Sequence, residues 1–269
     1  MLDEDMPEAS ATDLRTAADR LALVLVGQPV RSYFSLASKA SRDGVDYWLR
    51  VRRAHFLKWV PLHCLGYEES ALIEGVPKPV VVDRAEWWDA PHIVRAEMLT
   101  YVAERVLGST LHLKTSPDLP DSWWAELQSA IKNLAQTPTR RDTARVLDDT
   151  PWLRRFYGAD IPDPSDWATE HEDPHWANVT GPELHILDWD FWGLQPRGFT
   201  AAGLYCTSLG VPDVSDRLWR EFADVLETPS GQWCVLYHLW YRRKGLPSFA
   251  AWERGTAKAR EIITELTSR

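Results

Sequence analysis

The stretch HEDPHWANVTGPELHILDWD, residues 171–190, decides between two kinds of site and therefore between two folds. It holds three histidines, five acidic residues and one asparagine among apolar residues. As a strand, it would place His171, Asp173 and His175 on one face, because alternate residues of a strand share a face. Imidazole and carboxylate ligands in that arrangement suit zinc or iron.

Two features of the sequence argue against the zinc or iron site. Pro174 lies inside the run, where it would disrupt a central strand. No further cluster of histidine or cysteine elsewhere in the chain completes a coordination shell. The sequence therefore favours a loop over a metal-binding strand.

As a loop, the same stretch supplies the parts that phosphoryl transfer needs. These are a carboxylate that accepts the hydroxyl proton, and a carboxylate and an amide oxygen that hold magnesium. Asp173 and Asn178 have the spacing of the base and the amide in protein kinases, with four residues between them. A turn and a strand follow and end in Asp188, so we expect all three side chains to face one cleft.

The pattern HxDxHxxN followed by LDWD resembles the signature of the aminoglycoside phosphotransferase family, which usually reads HGDxHxxN before a hydrophobic-D-W/F-E/D strand. The stretch HWANVTGPELHILDWDFWGLQPRGFTAAGLY is similar to actinobacterial members. The resemblance is strong over residues 165–210 and consistent over residues 29–135. It implies an α+β, two-lobed protein-kinase-like fold, with a small antiparallel-sheet N-lobe and a larger helical C-lobe.

Transferred residue by residue, the resemblance implies a role for each side chain of the loop. Asp173 is the catalytic base, and Asn178 and Asp188 hold the metal. His171 braces the loop, and His175 orients it or touches phosphate.

The resemblance also implies nucleotide contacts in the N-lobe. Arg50, in YWLRV, falls where the family has a Lys or Arg that grips the α- and β-phosphates. Its ion-pair partner would be Glu68 or Glu69, between which the sequence does not decide. Backbone groups from Glu97 to Leu99 would meet adenine, and the loop SYFSLASKA would cover the phosphates.

Three positions depart from the family pattern. Glu172 stands where glycine is usual, Pro174 replaces an apolar residue, and Thr200 replaces a common Asp that ties the following helix to the catalytic loop. A glutamate beside the base could raise the pKa of Asp173 by like-charge repulsion. These departures keep open a pseudokinase that acts as a binding or scaffolding subunit.

Periodicity divides the chain into an N-lobe over residues 1–101, with an N-terminal helix, an antiparallel sheet and one helix, and a helical C-lobe over residues 102–269. The C-lobe contains the catalytic loop 171–178 and a metal-binding strand at 184–190. The helices are predicted at residues 10–26, 67–75, 118–136, 139–149, 200–210, 213–227, 230–244 and 247–267.

Bulk properties restrict the class of protein. The net charge of −9 and the lack of a basic patch argue against a nucleic-acid partner. Three distant cysteines in apolar surroundings indicate thiols in a reducing compartment. The acidic N-terminus is not a signal peptide, and LALVLVG is too short to span a bilayer. We therefore expect a soluble, cytoplasmic protein without a membrane partner.

Together these patterns predict a phosphotransferase that uses Mg²⁺ and ATP, or GTP, to phosphorylate a hydroxyl of an antibiotic-like small molecule, such as an aminoglycoside or another secondary metabolite. One alternative keeps the fold and phosphorylates Ser or Thr of a ribosomal natural-product precursor peptide. The other alternative is the pseudokinase, which would have a protein partner.

Overall fold

A computed structural model of the chain describes residues 8–32, 35–55, 65–142, 146–246 and 248–268. The chain forms two compact units. The first comprises residues 1–71 and 78–103, and the second comprises residues 72–77 and 104–269. Residues 72–77 thus belong with the second unit although they lie within the first part of the sequence.

The first unit begins with helix α1, Ala11–Arg20, which a capping box starts. The Ser10 hydroxyl accepts from the backbone N–H of Asp13, and the Asp13 carboxylate accepts from the backbone N–H of Ser10 at 2.7 Å. The helix ends at Arg20, shorter than the expected 10–26, because the chain leaves the helix at Leu21 and Ala22 with a positive φ of 53° at Ala22.

An antiparallel sheet follows α1. Its strands are β1 (Val24–Leu25), β2 (Val30–Arg31), β3 (Leu36–Arg42), β4 (Val45–His55), β5 (Val81–Asp89) and β6 (His92–Thr100). The strand order is β1-β3-β4-β6-β5, with β2 paired to β3. A tight turn at Asp43 and Gly44, both with positive φ, joins β3 to β4.

The two faces of this sheet differ in chemistry because side chains alternate along each strand. One face packs an apolar core against α1, and its central members are Leu49, Val51, Val94, Ala96 and Met98. The opposite face carries buried charged residues from β4 and β6. The expected helix at 67–75 is a short turn of α-helix, α2 (Gly66–Glu69), extended by a 3₁₀ turn, and Gly75 follows it with φ +67°.

The second unit is mainly helical, with two short strand pairs. Strand β7 pairs with β9, and β8 pairs with β10. Its elements are β7 (Arg105–Val106), α3 (Asp121–Gln136), α4 (Thr150–Tyr157), β8 (Trp167–His171), β9 (Thr180–Gly181), β10 (Trp192–Pro196), α5 (Phe199–Thr207), α6 (Pro212–Glu221), α7 (Ala223–Leu226), α8 (Pro229–Tyr241) and α9 (Phe249–Thr267).

Two predicted helices of the second unit also differ from the structure. Of the helix expected at 139–149, residues 139–142 are not helical, residues 143–145 lie outside the described residues, and Val146–Asp149 form a 3₁₀ turn. Helix α4 begins at Thr150, because Pro151 fits the first turn of a helix, and Gly158 ends it in the left-handed region. The helix expected at 213–227 is divided at Phe222 into α6 and α7. Among the described residues, no helix combines the length and apolar character that a membrane crossing needs.

Candidate active site

Two nested antiparallel pairings form the stretch from residue 171 to residue 192. In the outer one, His171 at the end of β8 lies opposite Trp192 at the start of β10. In the inner one, the backbone N–H of Leu187 donates to the carbonyl of Asn178 at 2.8 Å, and Val179 forms a bridge with Ile186. The inner pairing brings Asn178 beside the backbone that leads into residue 188.

The expected metal-binding strand at 184–190 is not a strand. Ile186 makes a single bridge, and the backbone turns at Asp188, which has a positive φ of 62°. A left-handed conformation at a residue other than glycine costs free energy and is concentrated at functional sites. Asp188 therefore lies at a backbone turn rather than along an extended segment.

The carboxylate of Asp173 lies between two basic side chains. Its Oδ2 is 3.0 Å from Nε2 of His175, and its Oδ1 is 3.1 Å from Nη2 of Arg242, which follows α8. The Asp173 side chain remains 41% exposed, whereas those of His175 and Arg242 are buried. The carboxylate is thus fixed in orientation and still accessible.

These neighbours change the acidity of Asp173. Burial alone would raise its pKa, but the hydrogen bond and charge of His175 and the charge of Arg242 hold the pKa of Asp173 well below its usual value. Asp173 is therefore ionised across the neutral range. The pKa of Asp173 is thus lowered, not raised as like-charge repulsion from Glu172 would have it.

His171 braces the loop, as the resemblance implies. Its ring is buried, with Nε2 donating to the carbonyl of Leu187 at 3.0 Å and Nδ1 accepting from the backbone N–H of Asp173 at 3.2 Å. Burial lowers the pKa of His171 to about 4, so the ring is neutral and this tautomer is the one that both contacts need. One side chain thus links residue 173 to residue 187.

Asn178 is oriented by the same loop. Its amide nitrogen donates to the carbonyl of Asp173 at 3.1 Å and lies 3.1 Å from Nε2 of His175. His175 can accept there only when Nε2 carries no proton, whereas a protonated Nε2 donates to Asp173. In either state the amide oxygen of Asn178 is directed away from the carbonyl of Asp173.

The available donors fit magnesium better than zinc or iron. Among the described residues, no group of three or more His, Cys, Asp or Glu side chains could hold a metal ion. The alternative that the sequence disfavours, with His171, Asp173 and His175 on one ion, has no support here, because β8 ends at His171 and the ring of His171 is used in hydrogen bonds. An amide oxygen and one carboxylate, from Asn178 and Asp188, are the hard oxygen ligands that magnesium takes alongside phosphate and water.

Thr200 is hydrogen-bonded to Glu170, which was not among the predicted site residues. The Thr200 hydroxyl accepts from the backbone N–H of His171 at 3.0 Å and donates to the Glu170 carboxylate at 2.5 Å. Glu170 also accepts from the N–H groups of Gly198 and Thr200, at the start of α5. The buried carboxylate that links α5 to the loop at 171–178 thus comes from Glu170 in β8, and not from residue 200 in α5.

The other two positions that depart from the family pattern are Pro174 and Glu172. Pro174 packs against α5 at Gly203, where a Cβ would lie 2.3 Å from the proline ring, so close approach requires a glycine there. Glu172 is partly buried, and burial raises its pKa to about 7 despite a hydrogen bond from Gln195 and the charge of Arg141.

The first unit places the predicted nucleotide residues on the charged face of its sheet. Arg50 is buried, lies 3.7 Å from Glu97 and stacks on Tyr67 at 4.5 Å. Glu68 pairs with Arg84 and Arg95, not with Arg50. Glu97 is thus a carboxylate partner of Arg50 in the sheet, and an ion pair between Arg50 and Glu69 stays a prediction.

The backbone expected to meet adenine, at Glu97–Leu99, lies inside β6. This strand pairs with β4 on one side and β5 on the other, so the sheet uses backbone groups of these residues. The adenine contact stays a prediction. The first backbone beyond the strand is at residues 101–103. Of the loop expected to cover the phosphates, residues 33 and 34 are outside the described part, and residues 36–40 form β3.

Comparisons with known proteins concern the fold. No protein-family model matches the chain, and no curated protein matches it. A protein described as a fructosamine-3-kinase from Haemophilus somnus 129PT has a similar structure, with a TM-score of 0.52 and 9% identity, covering 95% of this chain and 98% of that chain. The spectinomycin phosphotransferase APH(9)-Ia, in complex with ADP and spectinomycin, has a TM-score of 0.48 and 9% identity, covering 92% of this chain and 93% of that chain.

At this identity the likeness concerns architecture alone. The antiparallel sheet of the first unit and the helical second unit correspond to the expected class, which is thereby confirmed. The chain has the kinase-like fold that small-molecule kinases share.

Proposed function

We propose that the protein is a phosphotransferase that moves the γ-phosphoryl group of ATP or GTP to a hydroxyl of a small molecule. The observation that carries this proposal is the arrangement of Asp173 and Asn178 in one hydrogen-bonded loop, with the inner pairing bringing residue 188 alongside. Phosphoryl transfer depends mainly on positioning and on charge neutralisation, which such a loop can supply.

Each residue has a proposed role. Asp173 accepts a hydrogen bond from the acceptor hydroxyl and orients its oxygen, and because its low pKa makes it a weak base, it takes the hydroxyl proton only late in the transfer. Asn178 and Asp188 hold magnesium, which would neutralise phosphate charge when bound. His175 orients Asp173 through the 3.0 Å contact. Arg50, held by Glu97, meets the nucleotide phosphates.

The nature of the acceptor is also a proposal. We propose an antibiotic-like metabolite with a free hydroxyl, such as an aminoglycoside, as the resemblance of the loop implies. The pseudokinase alternative rests on Glu172 and Thr200, and we favour the enzyme because Glu170 and Thr200 together link α5 to the loop.

Turnover against a panel of hydroxyl acceptors tests this function. ATP and GTP consumption is measured with magnesium and with aminoglycosides, other hydroxylated antibiotics and Ser-containing precursor peptides, and the product is detected by its added phosphate. We expect one acceptor class to be phosphorylated, and Asp173→Asn to reduce turnover by about a hundredfold or more. Full turnover by Asp173→Asn would contradict the proposal.

A further inference from the structure

Arg242 is a cation that lies beside the proposed reacting group in the second unit. Its Nη2 is 3.1 Å from Oδ1 of Asp173, although 69 residues separate the two in the sequence. Arg242 is buried, and it follows the last residue of α8, where the partial negative charge of a helix C-terminus favours a cation. Its position is therefore fixed by the helix rather than by a mobile loop.

A chain of hydrogen bonds holds the guanidinium in place. Nε2 of His238 lies 3.1 Å from the carbonyl of Phe199 and donates to it, which leaves Nδ1 to accept from Nε of Arg242 at 3.5 Å. Burial and the charge of Arg242 keep the pKa of His238 well below its usual value, so this ring remains neutral. The carbonyl at the start of α5 thus sets the plane of the guanidinium.

A guanidinium carries its charge throughout the physiological pH range, whereas burial favours the neutral form of two histidines, His112 and His171. Burial, followed by the charge of Arg242, lowers the pKa of His112, whose two ring nitrogens are buried without hydrogen-bond partners in the described part of the chain. Burial likewise lowers the pKa of His171 to about 4. Arg242 therefore provides a permanent positive charge beside Asp173.

One nitrogen of the guanidinium is left over by this arrangement. Nε is directed to His238 and Nη2 to Asp173, and among the described residues Nη1 has no hydrogen bond. The terminal nitrogens of a guanidinium lie side by side in one plane, so Nη1 is next to any group that Asp173 binds. A cation held in this way is preorganised to stabilise charge that develops during a reaction.

We propose that Arg242 is a catalytic residue whose Nη1 contacts the transferring phosphoryl group while Nη2 holds Asp173, an inference that rests on the proposed function. The acceptor oxygen attacks the γ-phosphorus, and the bond from that phosphorus to the β,γ-bridging oxygen breaks. The bonding electron pair leaves with the bridging oxygen of the nucleoside diphosphate. The hydroxyl proton passes to Asp173 and then to solvent. Arg242 stabilises the phosphoryl oxygens throughout, as an arginine supplied in cis does in other phosphoryl-transfer proteins.

Binding of a phosphoryl-group mimic tests this role without knowledge of the acceptor. Thermal unfolding and titration are measured with Mg·ADP alone and with Mg·ADP plus aluminium fluoride. We expect aluminium fluoride to tighten binding of ADP to the wild-type protein. Arg242→Gln should keep its Mg·ADP affinity and lose roughly ten- to a hundredfold of the affinity for the fluoride complex, the value of one hydrogen bond to a charged group. Arg242→Lys should lose less.

The neighbouring Arg243 provides a matched control. Its guanidinium stacks on the rings of Phe156 and Trp240, whereas that of Arg242 contacts Asp173. Arg243→Lys should bind the fluoride complex as the wild type does. An unchanged fluoride effect in Arg242→Gln would overturn the inference, as would a wild type that binds Mg·ADP but gains nothing from aluminium fluoride. A wild type that does not bind Mg·ADP would instead contradict the proposed function itself. Retained Mg·ADP binding in Arg242→Gln shows that this variant is folded.

Discussion

The two units stabilise their buried charges in different ways. In the first unit, the guanidiniums of Arg50, Arg52 and Arg95 share one carboxylate, Glu97, which is 1% exposed. In the second unit, Glu170 is held by neutral donors, namely two backbone N–H groups and one hydroxyl. Loss of the Glu97 carboxylate would therefore affect three guanidiniums at once, whereas loss of one donor to Glu170 would remove a single hydrogen bond.

Removal of the shared carboxylate should give the largest loss of stability. Glu97→Gln keeps the shape of the side chain but leaves three buried guanidiniums without the anion they share. We expect the free energy of unfolding to fall by about 3–5 kcal/mol, the usual cost of breaking a buried pair. Urea unfolding of the purified variant measures this.

Glu86 is the control for that experiment, since it also pairs with Arg95 but is 51% exposed. Glu86→Gln should cost less than about 1 kcal/mol because solvent screens an exposed pair. Equal losses for the two variants would mean that burial and sharing do not distinguish the two carboxylates.

Removal of the hydroxyl that links Glu170 to the catalytic loop should have an intermediate effect. Thr200→Val leaves the N–H of His171 without its acceptor and takes one donor from Glu170. We expect a loss of about 1–3 kcal/mol in the free energy of unfolding, by the cost of an unsatisfied buried group. Thr200→Ser retains the hydroxyl and should stay within about 1 kcal/mol of the wild type. A Val variant as stable as the Ser variant would show that this hydrogen bond is not needed.

The smallest effect should depend on pH. Burial raises the pKa of Glu172 from 4.5 to about 7, so the folded protein binds this proton more tightly than the unfolded chain does. The favourable contribution is therefore present below pH 4.5 and is lost as the pH rises to about 7. Glu172→Gln stays neutral and should gain on the order of 1 kcal/mol relative to the wild type above pH 7.

Denaturant unfolding at pH 4.5, 6 and 8 measures that dependence. The exposed Glu183 serves as the control, and Glu183→Gln should differ from the wild type by the same amount at every pH. A difference between Glu172→Gln and the wild type that does not grow with pH would contradict the buried environment of Glu172.

Local patterns in the sequence predicted most of the fold and the central loop. The strands and α3 follow from the alternation and helical periodicity of apolar residues. Asp173 and Asn178 are close in space as well as in sequence, because one loop contains both residues. The prediction of a strand at 184–190 was wrong because an apolar run of residues can form either a strand or, as here, a single bridge at Ile186 followed by a turn.

Long-range contacts were beyond local patterns. Arg242 reaches Asp173 only because α8 ends beside the loop, and nothing in YRRKG indicates which arginine does so. Glu170 carried a weak signal, a charged residue inside an otherwise buried strand. The contact of Arg50 with Glu97 was also beyond local patterns, because the cross-strand register that brings the two residues together depends on the assembled sheet.

Thermal unfolding with ATP or GTP, each with and without magnesium, tests the central claim most directly. A ligand that binds only the folded state stabilises it by about 2.7 kcal/mol at a hundredfold excess over Kd. We predict a magnesium-dependent rise in Tm that Asp188→Ala abolishes and Asp173→Asn retains. No rise with either nucleotide, or an equal rise in Asp188→Ala, would contradict a nucleotide–magnesium site at this loop.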